Sequence, residues 1–195
     1  MVRPLATTVP MRLLSTASPS VRRVLLVWHS RTGLSRQMAD AMEAGALAAA
    51  REMEMPLHFH KVRAADATAD DVLQADGYLF CCPENLASTS GEMLEFFHRT
   101  YYTAFTTSAS GDESSVLTGR PYGLAIAAGN DGSAAARQVE RICTGWRLRK
   151  VCESFVHRNG LIQTKEHICA SKVCSAVASE RCQETGGLVA ATVLL

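Results

Sequence analysis

The sequence contains no acidic residue before Asp40, no Cys-x-x-Cys pair and no long apolar run. The seven cysteines show no paired His/Cys spacing suited to zinc, so we expect no metal site and interpret them as small core residues. No apolar stretch reaches the roughly 18 residues that a membrane span needs. These absences argue against a zinc-stabilised protein and against one with a membrane span.

Charge is unevenly distributed along the 195 residues. Four basic residues precede position 24, and without them 16 of the 20 basic residues stand against 19 acidic ones, a formal net charge of −3. A nearly neutral body lacks the basic surface of a nucleic-acid binder and the strong acidity of many electron carriers. We therefore expect no nucleic-acid partner.

Residues 1–23 are rich in Arg, Ser and Thr and contain no acid, which is the composition of a mitochondrial presequence. Three prolines in this range, at positions 4, 10 and 19, also suit a flexible extension, because proline breaks a presequence helix. We predict mitochondrial localisation, with the cytoplasm as the alternative. Residues 24–195 are predicted to form a single domain with a full core.

Apolar runs of strand length alternate with segments of helical spacing through this domain. The predicted strands are residues 23–29, 57–62, 76–82, 120–128 and 150–157. The predicted helices are residues 34–50, 70–74, 89–101, 133–146 and 165–184. This alternation predicts an α/β fold in which helices cover both faces of a parallel sheet.

Three predicted loops at the carboxyl ends of strands, where such sheets bind ligands, carry unusual polar residues. They are "HSRTGLS" after the first strand, "PENLASTSGE" after the third and "GNDGS" after the fourth. The first loop opens a helix, where unpaired N–H groups and hydroxyls can hold an anion. The loop lacks the Gly-Lys-Ser/Thr of a nucleoside triphosphate site and the cysteine of a phosphatase, and no G-x-G-x-x-G occurs. A phosphate monoester of a tightly bound ligand is the guest that remains.

The stretch Ser30-Arg31-Thr32-Gly33-Leu34-Ser35 resembles the flavodoxin phosphate loop, Ser/Thr-x-Thr-Gly-x-Ser/Thr, which wraps the 5′-phosphate of FMN. The resemblance covers nearly all of residues 24–195. It is closest to FMN-binding NAD(P)H-dependent oxidoreductases of the FMN reductase or quinone reductase type, which share "PEN", a following Ser-Gly and an "AGNDG"-like loop. It implies a flavodoxin-like three-layer sandwich with a five-stranded parallel sheet in the order 2-1-3-4-5.

The resemblance also implies a set of cofactor-binding residues in the three loops. In the first loop these are Ser30, Thr32, Gly33, Leu34 and Ser35. Along one edge of the flavin ring they are Pro83, Glu84, Asn85 and Leu86, and along the other Gly129, Asn130, Asp131 and Gly132. The role of Glu84 stays open, because a carboxylate beside the flavin disfavours its anionic reduced form, so Glu84 could instead cap the loop or bind a partner subunit.

Carrier flavodoxins often place an aromatic residue against each face of the flavin, whereas these loops offer Leu86 and no aromatic residue. One face of the flavin ring is therefore expected to stay uncovered, so that a second flat ring can stack on it. The small "GNDGS" loop is expected to give that ring room. We predict an FMN-dependent oxidoreductase that transfers a hydride from NADPH or NADH to a quinone or similar small acceptor, with the chemistry on the flavin and no catalytic side chain. A homodimer or homotetramer is compatible with the resemblance. The alternatives are a non-enzymatic electron carrier and a degenerate fold that only binds partners.

Overall fold

A mixed but mainly parallel β-sheet between two layers of helices organises the structure, a computed structural model that describes residues 21–107 and 113–195. The strands are β1 (Arg22–Trp28), β2 (Leu57–Arg63), β3 (Gly77–Asn85), β4 (Ser88–Thr89), β5 (Phe105–Thr107), β6 (Glu113–Ser115), β7 (Pro121–Ala128), β8 (Arg149–Lys150) and β9 (Phe155–Arg158). The helices are α1 (Leu34–Glu52), α2 (Ala69–Gln74), α3 (Gly91–Thr100), α4 (Ser133–Gly145), α5 (Lys165–Cys169) and α6 (Ala176–Leu194). The main sheet runs β2-β1-β3-β7, with β8 and β9 both parallel to β7, which confirms the predicted class and strand order.

Alternate residues of the central strands face two separate hydrophobic clusters. Leu25 of β1 and Phe80 of β3 face the cluster covered by α2, α3 and α4. Leu26 and Leu79, their neighbours along the chain, face the cluster covered by α1 and α6. Burial on both faces explains why these strands read as continuous apolar runs in the sequence.

The fifth strand and the last helix differ from the sequence-based prediction. The range 150–157 is not one strand but holds the end of β8 and most of β9. Between these two strands the chain leaves the ladder, where Ser154 donates to Glu140 of α4 (2.6 Å). The range 165–184 is broken between α5 and α6. Lys172 turns its ammonium onto the last carbonyls of α5, and Ser175 caps α6 by accepting from the N–H of Ala178, so the two helices cannot be continuous.

Strand β3 is longer than predicted, because it continues past Pro83 to Asn85. A two-residue turn then reverses the chain, and Leu86 and Ala87 both have positive φ values, +53° and +55°. That geometry is typical of a tight hairpin turn, and β4 pairs with the end of β3 antiparallel. The helix predicted over residues 89–101 begins later, because Thr89 belongs to β4 and α3 begins after Ser90.

Strand β1 begins at Arg22, inside the range 1–23 predicted as a leader. The backbone N–H of Arg23 donates to Asp76 (2.8 Å), and the Arg22 guanidinium contacts the same carboxylate. Residues 1–20 of that range lie outside the described residues. Across residues 21–107 and 113–195, no helix is long and apolar enough to cross a membrane, and no cluster of three metal-binding side chains occurs.

Candidate functional site

Three adjoining cavities at the carboxyl edge of the sheet bring the predicted loops together. A cavity of about 210 Å³ lies between the first loop and the end of β3, and one of about 460 Å³ lies outside the β3–β4 turn. A third, of about 420 Å³, lies on the far side of the first loop. Their walls include eleven of the thirteen predicted residues: Ser30, Thr32, Gly33, Leu34, Pro83, Glu84, Asn85, Leu86, Gly129, Asn130 and Asp131. Ser35 and Gly132 lie behind these walls.

The first loop presents unpaired donors at the start of α1. Gly33 takes a left-handed conformation (φ +85°), and its N–H donates to the Ser30 hydroxyl (3.0 Å). The N–H groups of Leu34, Ser35 and Arg36 have no acceptor in the described part of the chain, as expected of a first helical turn. The Ser35 hydroxyl is buried, with the residue 1% exposed, and has no partner either. Several donors therefore remain for an anionic group.

The open role of Glu84 is answered by a contact between two loops. Its Oε1 accepts from the backbone N–H of Gly132 (3.1 Å), so the carboxylate ties the β3–β4 hairpin to the start of α4. Asn85 lies beside it in the walls of both ring-side cavities. No hydrogen bond involves the Asn85 carboxamide among the described residues. This amide is therefore free to pair with a ligand.

The β7–α4 loop owes its glycines to packing and conformation, which corrects the expectation that they leave room for a second ring. Gly132 has φ +69°, and a Cβ there would lie 2.5 Å from Val156 and 2.7 Å from Ala128. A Cβ at Gly129 would lie 2.6 Å from the Gln163 side chain. Asp131 accepts from Ser133, which is the main cause of its lowered pKa, and Arg158 contacts the same carboxylate.

The segment from Asn159 to Ser175 is the part of the site that the sequence reasoning missed. Its residues Asn159, Gln163, Ile168, Cys169 and Lys172 line the smallest cavity. The Gln37 side chain fastens the segment to α1, since it donates to the Lys172 carbonyl (2.8 Å) and accepts from the N–H of Cys174 (3.0 Å). The Lys172 N–H also donates to the Thr32 carbonyl (2.9 Å). The Asn-Gly pair at the carboxyl end of the fifth strand was the available signal.

A buried histidine supports the first loop from beneath. His29 directly follows β1, is 6% exposed, and contacts Glu92 of α3 through Nε2 (3.1 Å). Burial lowers the pKa of His29, while the Glu92 carboxylate partly opposes that effect. Its Nδ1 has no partner among the described residues. The contact with Glu92 therefore ties the start of the first loop to α3.

Aromatic side chains are absent from the described walls of both ring-side cavities. Leu86 stands at the turn, fully exposed, and Ile168 faces the same cavity from the missed segment. Trp28 packs against the α1/α6 cluster and also reaches the third cavity. The ring-side cavities thus have aliphatic and polar walls with space for a flat group.

Comparison with known proteins gives a result from structure and none from sequence. No protein-family model matches the chain, and neither does any curated protein. Among solved structures, a flavodoxin from the domain Archaea matches with a TM-score of 0.66 at 12% identity, over 89% of this chain and 99% of that one.

Two further structures agree. An oxidoreductase from Corynebacterium diphtheriae matches with a TM-score of 0.65 at 17% identity, over 89% of this chain and 97% of that one. The two-electron reduced flavodoxin of Megasphaera elsdenii matches with a TM-score of 0.61 at 21% identity, over 86% of this chain and 98% of that one. The fold is therefore flavodoxin-like, as the phosphate-loop resemblance predicted.

Proposed function

We propose that the chain binds FMN and works as an oxidoreductase, with NADPH or NADH as reductant and a quinone or similar small molecule as acceptor. The observation that carries the proposal is the set of unsatisfied donors at the start of α1. The buried Ser35 hydroxyl and three backbone N–H groups have no acceptor in the described chain. A phosphate monoester satisfies them all, since each of its oxygens accepts hydrogen bonds and its charge suits a helix N-terminus.

The other walls suit the rest of FMN. The Asn85 carboxamide offers both donors and an acceptor, which match the pyrimidine edge of a flavin ring. Glu84 orients this wall, because its Oε1 accepts a hydrogen bond from the backbone N–H of Gly132. When bound, FMN supplies the hydride and electron transfer, and the chain positions it and excludes competing reactions.

Open walls support an enzyme rather than a carrier. Nicotinamide and quinone rings must lie flat at about 3–3.5 Å from the group they react with. No aromatic side chain in the described walls occupies that position, and a cavity of about 460 Å³ adjoins the ring site. The structural match described as an oxidoreductase supports the same choice.

An electron carrier is the second candidate, and the segment from Asn159 to Ser175 favours it. Gln163 packs against Gly129, and Ile168 narrows the approach from that side. Two of the matched structures are described as flavodoxins. A carrier needs only an exposed ring edge, so such a cover would not hinder it.

Anaerobic reduction distinguishes the two. Purified protein is loaded with FMN and mixed with NADPH or NADH in a stopped-flow instrument, and the visible flavin absorbance is followed. The enzyme loses that absorbance within one turnover and regains it when benzoquinone is added. If neither nicotinamide reduces the flavin while a partner reductase does, the carrier is correct. Protein that binds no FMN at all would be a binding module.

A substitution at the hairpin tip tests where the second ring lies. Leu86 is fully exposed and lines the larger ring-side cavity, so Leu86→Trp covers that cavity without touching the phosphate donors. We expect at least tenfold slower reduction by nicotinamide and nearly unchanged FMN affinity. Leu188→Trp, on the exposed surface of α6, is the matched control and changes neither. Equal rates in both variants would place the reductant elsewhere.

A further inference from the structure

The third cavity, on the far side of the phosphate loop, differs from the other two in its charge. It has a volume of about 420 Å³, and its walls contain three arginines and no carboxylate. The arginines are Arg31, Arg36 and Arg63, and the same walls include Trp28 and the phosphate-loop residues Ser30, Thr32 and Gly33. The three come from different elements: the loop, the first turn of α1 and the end of β2. The fold therefore gathers them at one point from distant parts of the sequence.

Two of these three cations have no partner in the part of the chain that the structure describes. In the described part of the chain, the side chains of Arg31 and Arg36 make no hydrogen bond and no ion pair. Arg63 has one carboxylate partner, Glu92, at 3.6 Å, and Glu92 also contacts His29. Like charges that share a cavity repel each other, so an anion that enters gains from all three. Guanidinium groups are suited to phosphate because their planar fork donates two parallel bonds.

Trp28 adds a flat apolar surface to the same cavity. The residue is partly buried where it packs on the α1/α6 cluster, and it still reaches the cavity wall. An indole face next to guanidinium groups combines base stacking with phosphate recognition. Inorganic phosphate would use only the arginines, whereas a nucleotide uses the whole wall.

The geometry points to a nucleotide subsite in which Arg31, Arg36 and Arg63 hold the phosphates of an adenosine diphosphate group and Trp28 contacts its base. Arg31, Thr32 and Cys169 also line the smaller ring-side cavity, so a ligand can extend from this subsite past the loop toward the candidate flavin site. The inference rests on the proposed function only for the redox role of the ligand. The cavity itself is expected to bind adenosine diphosphate in the protein without FMN.

Two kinds of redox cofactor would place an adenosine diphosphate group in this cavity. A nicotinamide dinucleotide has its adenosine phosphates at the opposite end from its reacting ring, so it would span the two cavities. FAD contains the same group, and the phosphate on its flavin side is the 5′-phosphate of the flavin itself. The shared chemistry is an adenosine with two phosphates, and the two sources differ in whether they compete with FMN.

The test is calorimetric titration of the full-length protein with ADP, with and without FMN, in the wild type and two arginine variants. Arg36→Gln removes one cation from an exposed helix position where glutamine is a good helix former. Arg51→Gln makes the same change on the same helix about 22 Å away. We expect Arg36→Gln to weaken ADP binding about tenfold, the effect of losing a bond to a charged group, while Arg51→Gln leaves it unchanged.

Tryptophan fluorescence locates the base independently of affinity. The chain has two tryptophans, and Trp146 is fully buried in the core. ADP should quench the emission in the wild type and fail to do so in Trp28→Phe. Equal ADP affinity in all three proteins of the arginine series would overturn the inference, and displacement of FMN by ADP would assign the subsite to FAD.

The same protein tells the two sources apart. If 2′,5′-ADP competes with NADPH on FMN-loaded protein, the subsite serves the reductant. If FAD binds more tightly than FMN, and Arg36→Gln removes that advantage, it serves the cofactor. Protein that binds ADP at Trp28 but never binds FMN would refute the proposed function and still support the subsite.

Discussion

The two faces of the sheet are filled in opposite ways. On the face of α2, α3 and α4, large rings fill the space, and Tyr78, Phe80, Phe96, Phe97 and Trp146 form a network of neighbouring aromatic rings. On the face of α1 and α6, the two helices approach until backbone meets backbone, at Gly45 and Gly186. One face therefore depends on side-chain volume and the other on its absence.

This difference predicts opposite sensitivities to substitution. The aromatic face loses stability when a side chain shrinks, because a close-packed interior leaves a cavity. The glycine face loses stability when a side chain grows, because the atom in the way is a backbone carbonyl that cannot move aside. The candidate site takes its phosphate loop from the glycine face and its hairpin and α4 from the aromatic face, so both modes of packing bear on it.

The largest effect is expected at Gly186. A Cβ there would lie 1.9 Å from the Met42 carbonyl oxygen, so Gly186→Val should prevent α1 and α6 from packing and leave no cooperative unfolding transition. The neighbouring Gly187 is the control, since its Cβ would meet nothing closer than 3.5 Å. Gly187→Ala should raise stability by about 0.5–1 kcal/mol through helix propensity. Circular dichroism melts of both variants check this, and similar melts would refute close backbone packing.

On the aromatic face, Trp146→Ala should cost about 3–5 kcal/mol. The residue is fully buried, packs edge-on against Phe96 and Phe97, and donates from its ring N–H to the Tyr101 carbonyl (3.0 Å). Urea denaturation measures the loss. Tyr102→Ala, at an 81% exposed position, should cost less than about 1 kcal/mol, and an equal cost at both would show that ring burial is not what stabilises this face.

A pH-dependent effect of intermediate size is expected at His29. Its pKa in the folded protein is lowered by burial from an ordinary value of 6.5, so the unfolded chain binds the proton first as the pH falls. Stability is therefore full above about pH 6.5 and is lost below it, at no more than about 1.4 kcal/mol per pH unit for one proton. His29→Gln should flatten the stability profile between pH 7 and 5, measured by urea denaturation. An unchanged slope, matching that of the exposed His98→Gln, would contradict this.

The smallest effect on stability is expected at Ser35, where the two faces meet the phosphate loop. Its buried hydroxyl has no partner within residues 21–107 and 113–195, so Ser35→Ala should leave stability without ligand unchanged or slightly higher. FMN affinity should nevertheless fall about 10- to 150-fold, the range for a bond to a charged group. Thermal melts with and without FMN compare the two. A variant as strongly stabilised by FMN as the wild type would remove Ser35 from the site.

The sequence predicted the regular part of the fold well because burial leaves a periodic trace. The runs at 23–29 and 120–128 became β1 and β7 almost to the residue, since both faces of those strands are covered. The prediction of one continuous fifth strand was wrong because Ser154, in its middle, bonds to Glu140 of α4 where the chain leaves the ladder. No local sequence pattern encodes such a contact between distant elements. The prediction of one continuous last helix was wrong because Lys172, which satisfies carbonyls at the end of α5, looks in the sequence like an ordinary helical residue.

The candidate site was predicted in part for the same reason. Loops at strand ends can be recognised by their glycines and hydroxyls, and eleven of thirteen chosen residues line the cavities. The reason for a glycine at position 132 was predicted wrongly. A sequence does not distinguish a glycine that leaves space for a ligand from one that leaves space for a neighbouring side chain, here Val156. Arg36 and Arg63 were not predicted, since each is an unremarkable surface cation until the fold brings them together.

The two hydrogen bonds of the Gln37 side chain to Lys172 and Cys174 have a consequence for how the cleft opens. Lys172 and Cys174 lend their N–H groups to Thr32 and Gln37, so neither amide can exchange its hydrogen with solvent while the segment lies against α1. Lifting the segment breaks both bonds at once and exposes both amides together. The rate of deuterium uptake at these two amides therefore reports how often the cleft opens. A slower rate after addition of a ligand measures how firmly that ligand keeps the cleft closed.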